Sequence, residues 1–340
     1  MAKLKREDGR LYHILRAQQF DRRKLDWLCE LTTRIRKVAK LKDGALYLAN
    51  LLAHKRGMLY FTQPSTRTFL SFMSACHILG IKTCEIRNPS TSSEFKGETP
   101  EDAMRTFSSY VDVIIMRCPE AGYADATAEM LDRTERPVPV INAGSGKDQH
   151  PTQALLDIYT LHRSFKKNGG IDGKTIAMVG DLSRGRTVRS LSYLMKNYQD
   201  VKLVFVAPES RRMDDDIKAF LESKGIPFKE HDVLADVLGE VDAVYMTRIQ
   251  HEWDRDHESS RIDYTNFAFR REHLEILPEK AIIMHPLPRR DELDAAVDPD
   301  PRAKYWRQER NGMWMRVALL ATVLGIAEDI MDPYGRSTHV

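Results

Sequence analysis

Five short apolar runs in this chain each end in a polar cluster suited to holding an anion, and that recurrence restricts the fold more than any single motif. Met58-Leu-Tyr-Phe61 leads into Thr-Gln-Pro-Ser65-Thr66-Arg67-Thr68, and Val113-Ile-Ile-Met116 into Arg117. Ile176-Ala-Met-Val179 leads into Gly180-Asp-Leu-Ser-Arg-Gly-Arg186-Thr187, Ala243-Val-Tyr-Met246 into Thr247-Arg248-Ile-Gln250, and Ala281-Ile-Ile-Met284 into His285-Pro-Leu-Pro-Arg289. Short continuous apolar runs rich in β-branched residues read as strands buried on both faces, the pattern of parallel sheets. In open α/β sheets ligands bind beyond the carboxyl ends of the strands, so clusters placed there describe one composite, cationic site.

The chain around these runs has room for two α/β domains, since 340 residues exceed one typical domain. Lys+Arg 52 against Asp+Glu 49 leaves a formal net charge of +3, too balanced for a general nucleic-acid or membrane-surface protein. No apolar stretch approaches the roughly 20 residues of a transmembrane helix. Cys29, Cys76, Cys84 and Cys118 lie far apart with no CxxC pair, and the start, Met-Ala-Lys-Leu-Lys, is polar. The expectation is a cytoplasmic protein with free thiols and no secretory leader.

Strand-like and helix-like segments alternate along the chain. Asp21 is a candidate N-cap for a helix through about Val38, with Leu25, Leu28, Leu31 and Ile35 at helical spacing. The pattern then predicts helix over Phe69 to Leu79, strand over Lys82 to Ile86, helix over Pro100 to Tyr110, and strands over Val111 to Met116 and Val138 to Ile141. Pro151 suits the first position of a helix running through His162. A turn-rich connector at 166–173 opens a second series with strands at 174–180, 203–207, 241–248 and 281–285, and a last helix spans about Met315 to Ile330. The fold class expected is α/β: two doubly wound parallel-sheet domains with an active-site cleft between them.

Each polar cluster has a plain reading of its own. Ser65-Thr66-Arg67-Thr68 between a strand and a helix makes a phosphate cradle from helix N–H groups, hydroxyls and a guanidinium, or equally an ordinary N-cap followed by a surface arginine. The loop from Thr91 to Thr99, with Ser92 and Lys96, would carry a mobile lysine or simply be solvated. His150-Pro151-Thr152-Gln153 offers an imidazole and an amide at a helix start, where a neutral histidine can donate to an oxyanion or merely cap. The loop after Val179 lacks G-x-G-x-x-G, and no acidic residue closes a strand near 205, so no nicotinamide cofactor is expected. HExxH, GxSxG and Walker signatures are absent, so no metal or other cofactor is expected either. The remaining chemistry is transfer between two small anions, one phosphorylated and one carboxylated, by positioning and stabilisation of developing negative charge.

In chain order, Ser65-Thr-Arg-Thr68, Lys96-Gly-Glu-Thr99, His150-Pro-Thr-Gln153, Gly185-Arg-Thr187, Thr247-Arg-Ile-Gln250 and His285-Pro-Leu-Pro-Arg289 resemble the aspartate/ornithine carbamoyltransferase family. The resemblance runs from about Gln18 to Gly325. Pro286 and the Thr-Arg-x-Gln segment favour its aspartate branch over the ornithine one. The resemblance implies transfer of the carbamoyl group of carbamoyl phosphate to L-aspartate, giving N-carbamoyl-L-aspartate and phosphate in pyrimidine synthesis. Ser65, Thr66, Arg67 and Thr68 would hold the phosphate, with Ser92 and Lys96 reaching in from a neighbouring subunit of a homotrimer. Arg117, His150 and Thr68 would stabilise the oxyanion, and Gln153 with the carbonyls of Pro286 and Leu287 would orient the carbamoyl amide. Arg186 would bind the α-carboxylate, and Arg248, Gln250 and Lys96 the β-carboxylate, with Leu287 bordering the amino acid. The domains implied are 1–150, completed by 312–340, for carbamoyl phosphate and 151–311 for aspartate. A cis peptide at Leu287–Pro288 is implied as well. The chain departs from the family pattern at Gln63, Phe69, Phe95, Ser183-Arg184 and Trp253, which bear on domain closure. A carbamoyltransferase for another amino acid and a catalytically idle ligand-binding homologue are the alternatives, and the sequence leaves open whether a regulatory chain binds.

Overall fold

The computed structural model describes residues 1–6, 8–88, 97–146, 149–249 and 262–332. Ser92, Phe95, Lys96, Gln250 and Trp253 lie outside the described residues. The chain forms two compact units, Met1–Leu155 with Gly312–Val340, and Leu156–Asn311.

The first unit opens with α1 (Arg22–Val38), whose N-cap is Asp21: its carboxylate accepts the N–H of Lys24 at 2.9 Å. Leu25, Leu28, Leu31 and Ile35 form the buried stripe that the spacing predicts. After α2 (Lys42–Leu51), which its weaker patterning left unassigned, come β1 (Arg56–Phe61), α3 (Thr66–Ile78), β2 (Lys82–Ile86), α4 (Pro100–Ser108), β3 (Val113–Arg117), α5 (Tyr123–Leu131) and β4 (Val140–Asn142). The strands form one parallel sheet in the order β2-β1-β3-β4. Tyr60, Ile114, Met116 and Val140 share a buried cluster with Ala128 and Leu131 of α5. The segment ahead of α1 docks on the sheet edge. Ile14 pairs in parallel with Ile141, and His13 accepts the N–H of Val140 on Nδ1 at 2.9 Å.

The chain leaves this unit inside α6 (Pro151–Phe165). The second unit contains β5 (Thr175–Val179), α7 (Arg186–Met195), β6 (Lys202–Val206), α8 (Asp215–Ser223), β7 (Phe228–His231), β8 (Ala243–Met246) and β9 (Ile282–Met284), in a parallel sheet ordered β7-β6-β5-β8-β9. β7 was not foreseen: Phe-Lys-Glu-His is only half-buried, as an edge strand can be. Val179, Val206, Val244 and Ile283 meet Phe269 and Tyr305 in the core of this unit.

The chain returns to the first unit inside α9 (Tyr305–Val323), and α10 (Ala327–Met331) follows Gly325, whose φ is +84°. The last helix therefore begins at Tyr305, ahead of the expected Met315, and is broken before Ile330. Its early turns carry the buried polar residues Gln308 and Asn311, satisfied by Asp157 at 2.7 Å and Thr160 at 3.0 Å. Polar side chains with buried partners erase the apolar periodicity from which a helix is read. Among the described residues, Cys29, Cys76 and Cys118 are buried and Cys84 is exposed, all as free thiols. Burial pushes the Cys76 thiol up to about 12, which leaves it protonated and inert. No described helix is long and apolar enough to cross a membrane.

Candidate functional site

Strand order decides where the polar clusters fall, and sequence alone does not give it. In the first sheet the chain goes outward from β1 to β2, then crosses back to lay β3 on the other flank of β1. In the second, β6 and β7 lie on one side of β5, and β8 and β9 on the other. The crevice where a sheet reverses its winding is the ligand position of open α/β folds. The clusters after β1 and at the end of β3 flank the first such point, and those after β5 and β8 flank the second.

At the first, Ser65 stands at the N-cap of α3 in extended conformation, and its side chain makes no capping bond. The first helical bond runs from Phe69 N–H to Ser65 O at 3.2 Å, so the N–H groups of Thr66, Arg67 and Thr68 precede the ladder and point out of the helix start. Thr68 is buried, Ser65 half-buried, and Thr66 and Arg67 exposed. Beside them Arg117, the last residue of β3, lies opposite Phe61 in the register. Its carbonyl accepts the N–H of Gln63 at 3.1 Å, and its guanidinium donates to Ala143 O at 3.4 Å.

That second contact touches a turn after β4 that the apolar pattern does not reveal. Asn142 Oδ1 accepts the N–H groups of Gly144 and Ser145, each at 2.8 Å. Ser145 Oγ accepts the N–H of Cys118 at 3.1 Å, and Gly146 N–H donates to Cys118 O at 2.9 Å. The turn is thus bound to the end of β3. Gly144, at φ +101°, lies against the buried imidazole of His150. His150 is also the residue from which α6 starts: its carbonyl accepts Gln153 N–H at 3.0 Å and Ala154 N–H at 3.2 Å. Gln153 is buried one turn into that helix. An Asn-x-Gly-Ser signature at a strand end is the signal that would have found the turn, through the Asx geometry of Asn142.

At the second point Arg186 is the first residue of α7, and Gly185 precedes it in a space that a Cβ would fill: Val188 Cγ2 would be 2.7 Å away and Asp181 O 2.8 Å. The loop is anchored by the N–H groups of Leu182 and Ser183 on Arg211 O, at 3.0 and 3.2 Å. Thr247 ties β8 to β5, donating both its N–H and its hydroxyl to Val179 O at 2.8 Å. Half-buried Arg248 follows and donates to Ile249 O at 3.2 Å. After β9, Leu287 sits at φ +50° and the Leu287–Pro288 peptide is cis, as expected. His285 supports this turn by accepting the N–H of Leu287 on Nδ1 at 2.8 Å.

In each unit the expected residues lie at the carboxyl ends of strands or in the loops and helix starts that follow them: Ser65, Thr66, Arg67, Thr68, Arg117, His150 and Gln153 in the first, Arg186, Arg248, Pro286 and Leu287 in the second. Phe69, one of the positions at which the chain departs from the family pattern, is a core residue here. Its ring meets Phe61 edge-on at 5.4 Å, and the Arg87 guanidinium lies over it at 4.4 Å. Among the described residues no cluster of histidine, cysteine and carboxylate is built to hold a metal ion.

An aspartate carbamoyltransferase of Arabidopsis thaliana, named chloroplastic, is 43% identical over 320 residues, 92% of this chain and 78% of that protein. One of rice, also named chloroplastic, is 42% identical over 325 residues, 93% of this chain and 85% of that protein. These relatives correct the expectation of a cytoplasmic protein, since they point to a plastid; free thiols and balanced charge do not tell one reducing compartment from another. Among solved structures, the aspartate transcarbamoylase of Trypanosoma cruzi in complex with N-(phosphonacetyl)-L-aspartic acid is similar with a TM-score of 0.83 and 36% identity, covering 95% of this chain and 97% of that one. Residues 12–163 match the carbamoyl-P binding domain of aspartate/ornithine carbamoyltransferases and residues 172–323 match their Asp/Orn binding domain, so the chain belongs to that family.

Proposed function

We infer that this chain is an enzyme of carbamoyl transfer with aspartate as acceptor. It transfers the carbamoyl group of carbamoyl phosphate to the amino group of L-aspartate, giving N-carbamoyl-L-aspartate and phosphate, a step of pyrimidine biosynthesis. The observation that carries the reading is the pair of anion-holding strand ends, one flanking each switch point, in a chain similar to an enzyme whose structure holds phosphonate and aspartate joined in one molecule.

In this reading Ser65, Thr66, Arg67 and Thr68 hold the phosphate, which their helix-start N–H groups and the Arg67 guanidinium suit. The aspartate amine, once deprotonated, attacks the carbonyl carbon. Arg117, His150 and Thr68 donate to the oxygen that gains charge as the tetrahedral intermediate forms. Gln153 and the carbonyls of Pro286 and Leu287 accept from the carbamoyl NH2 and fix the face presented to the amine. Collapse of the intermediate breaks the bond from carbon to the bridging oxygen, and phosphate leaves with the electron pair and takes up the proton that the attacking nitrogen gives up. Arg186 binds the α-carboxylate, while Arg248, Gln250 and Lys96 bind the β-carboxylate. The residues of 1–150 with 312–340 serve carbamoyl phosphate, and those of 151–311 serve aspartate. The chain acts as a homotrimer in which Ser92 and Lys96 complete a neighbour's site.

The test is carbamoyl-aspartate formation by the purified chain, with ornithine as the control acceptor. Two arginines matched to two carboxylates predict turnover with aspartate and essentially none with ornithine, whose side-chain ammonium would face Arg248. Equal or greater activity with ornithine would overturn the acceptor assignment.

A further inference from the structure

Behind the turn at 285–288 runs a buried polar chain that binding of anions does not account for. His285 is fully buried. Its Nδ1 accepts the N–H of Leu287 at 2.8 Å, so the ring proton sits on Nε2, which donates to Glu292 Oε1 at 2.8 Å. The same Glu292 oxygen accepts the N–H of Arg290 at 2.9 Å. From the other side of His285 its backbone N–H donates to Gln308 Oε1 at 2.9 Å. That contact fixes the Gln308 amide, turning its NH2 toward Asp157 Oδ1 at 2.7 Å, and Tyr245 donates its hydroxyl to Asp157 Oδ2 at 2.8 Å.

Backbone N–H groups can only donate, so those of Leu287, His285 and Arg290 set the direction of the bonds at His285, Gln308 and Glu292. His285 is therefore neutral and protonated at Nε2, and Glu292 Oε1 and Gln308 Oε1 are the acceptors. Burial alone would raise the Glu292 carboxyl, but the hydrogen bonds from His285 and Arg290 outweigh it and hold the group below the ordinary carboxylate range. A buried network whose donors and acceptors are matched is rigid, and here the rigidity is delivered to Leu287, a residue at φ +50° that an unsupported chain would rarely hold.

We propose that Asp157, Gln308 and Glu292 are positioning residues for carbamoyl transfer, holding the carbonyls of Pro286 and Leu287 in place through His285. The proposal rests on the reading that these carbonyls orient the carbamoyl amide. It reaches from α6 and α9 to a turn whose sequence motif contains none of the three residues Asp157, Gln308 and Glu292.

Gln308→Glu keeps an oxygen for the His285 N–H but sets a second carboxylate oxygen against Asp157. It is expected to lower kcat roughly 10- to 10²-fold, the scale of a small displacement of a reacting group. Affinity for inorganic phosphate, read by calorimetry, should stay unchanged, and amide hydrogen exchange over 285–292 in the full chain should quicken. Adding Asp157→Asn restores an amide facing a carboxylate with the roles exchanged, and is expected to recover both kcat and slow exchange. In parallel, Glu292→Gln, which keeps one oxygen for both donors, should stay near wild type while Glu292→Ala loses activity. Retained kcat and exchange in Gln308→Glu, or Glu292→Ala matching Glu292→Gln in both, would overturn the proposal. So would a double variant that melts like wild type yet is no better than the single one. If the wild-type chain forms no carbamoyl aspartate, the functional reading fails, while exchange over 285–292 still decides whether these residues hold the turn.

Discussion

A Cβ on Gly144 would stand 2.7 Å from Cδ2 of His150, closer than such atoms approach in real proteins. The glycine is therefore the wall against which the imidazole rests, and its φ of +101° suits no other residue well. Gly144→Ala is expected to push the ring off its position and lower kcat about 10²-fold, as for loss of one oxyanion donor. Steady-state kinetics beside a thermal melt checks this; wild-type kcat in a folded variant would remove His150 from the oxyanion role.

Gly180 plays the matching part in the second unit, where a Cβ would lie 2.4 Å from Thr247 O at a φ of +114°. The close approach lets Thr247 bond Val179 with both N–H and hydroxyl. Gly180→Ala should destabilise the chain by on the order of 1–3 kcal/mol or more and raise the aspartate KM by displacing Arg248. Denaturant unfolding and aspartate titration read the two effects separately, and an unchanged KM would detach Arg248 from this anchor.

The proposed sharing of sites between subunits is tested by mixing. Lys96→Ala and Arg67→Ala homo-oligomers are each expected to lose roughly 10²-fold of activity. Mixed oligomers should regain part of it, because some sites then take both residues intact. No recovery after demonstrated subunit exchange would show that Lys96 acts within its own chain.

His13 makes stability depend on pH. Burial pulls its imidazole below the ordinary 6.5, and the hydrogen bond to Asp132 offsets this only in part. Below pH 6.5 the unfolded chain takes up a proton that the folded chain refuses, so this contribution is intact above that pH and is lost as pH falls toward the folded value. The thermal midpoint should drop between pH 7.5 and 5.5, and more steeply than in His13→Gln, whose amide can serve both Val140 and Asp132. Parallel slopes would place the acid sensitivity elsewhere.

Much of this architecture was legible because burial writes itself into apolar runs. β1, β3, β5, β8 and β9 are covered on both faces, so their strand ends, and with them Arg67, Arg117, Arg186 and Arg248, could be read directly. The Asp21 cap was legible for a local reason, since an N-cap acts within three residues. Strand order was not, because it is set by crossovers that leave no trace in a single run. Asn142 and Gly144 escaped notice because they matter through His150 and Arg117, which lie six or more residues away in sequence. Gln308 escaped because its partners lie in α6 and the 285–288 turn, so a polar residue on a buried helix face looked like a reason to start the helix later.

The path of the chain through α9 has a consequence for synthesis. The second unit is one uninterrupted stretch, whereas the first needs Gly312 onward to be whole. Met315 Sδ lies 3.7 Å from the Thr32 hydroxyl of α1, and Arg316 donates to Ser71 of α3 at 2.7 Å. Val317, Leu319 and Leu320 beside them are fully buried. On the ribosome the part made first must therefore wait for the part made last. At about 5–20 residues per second that wait is on the order of ten seconds, during which the apolar stripe of α1 lacks its final cover and is open to chaperones or to a neighbouring nascent chain.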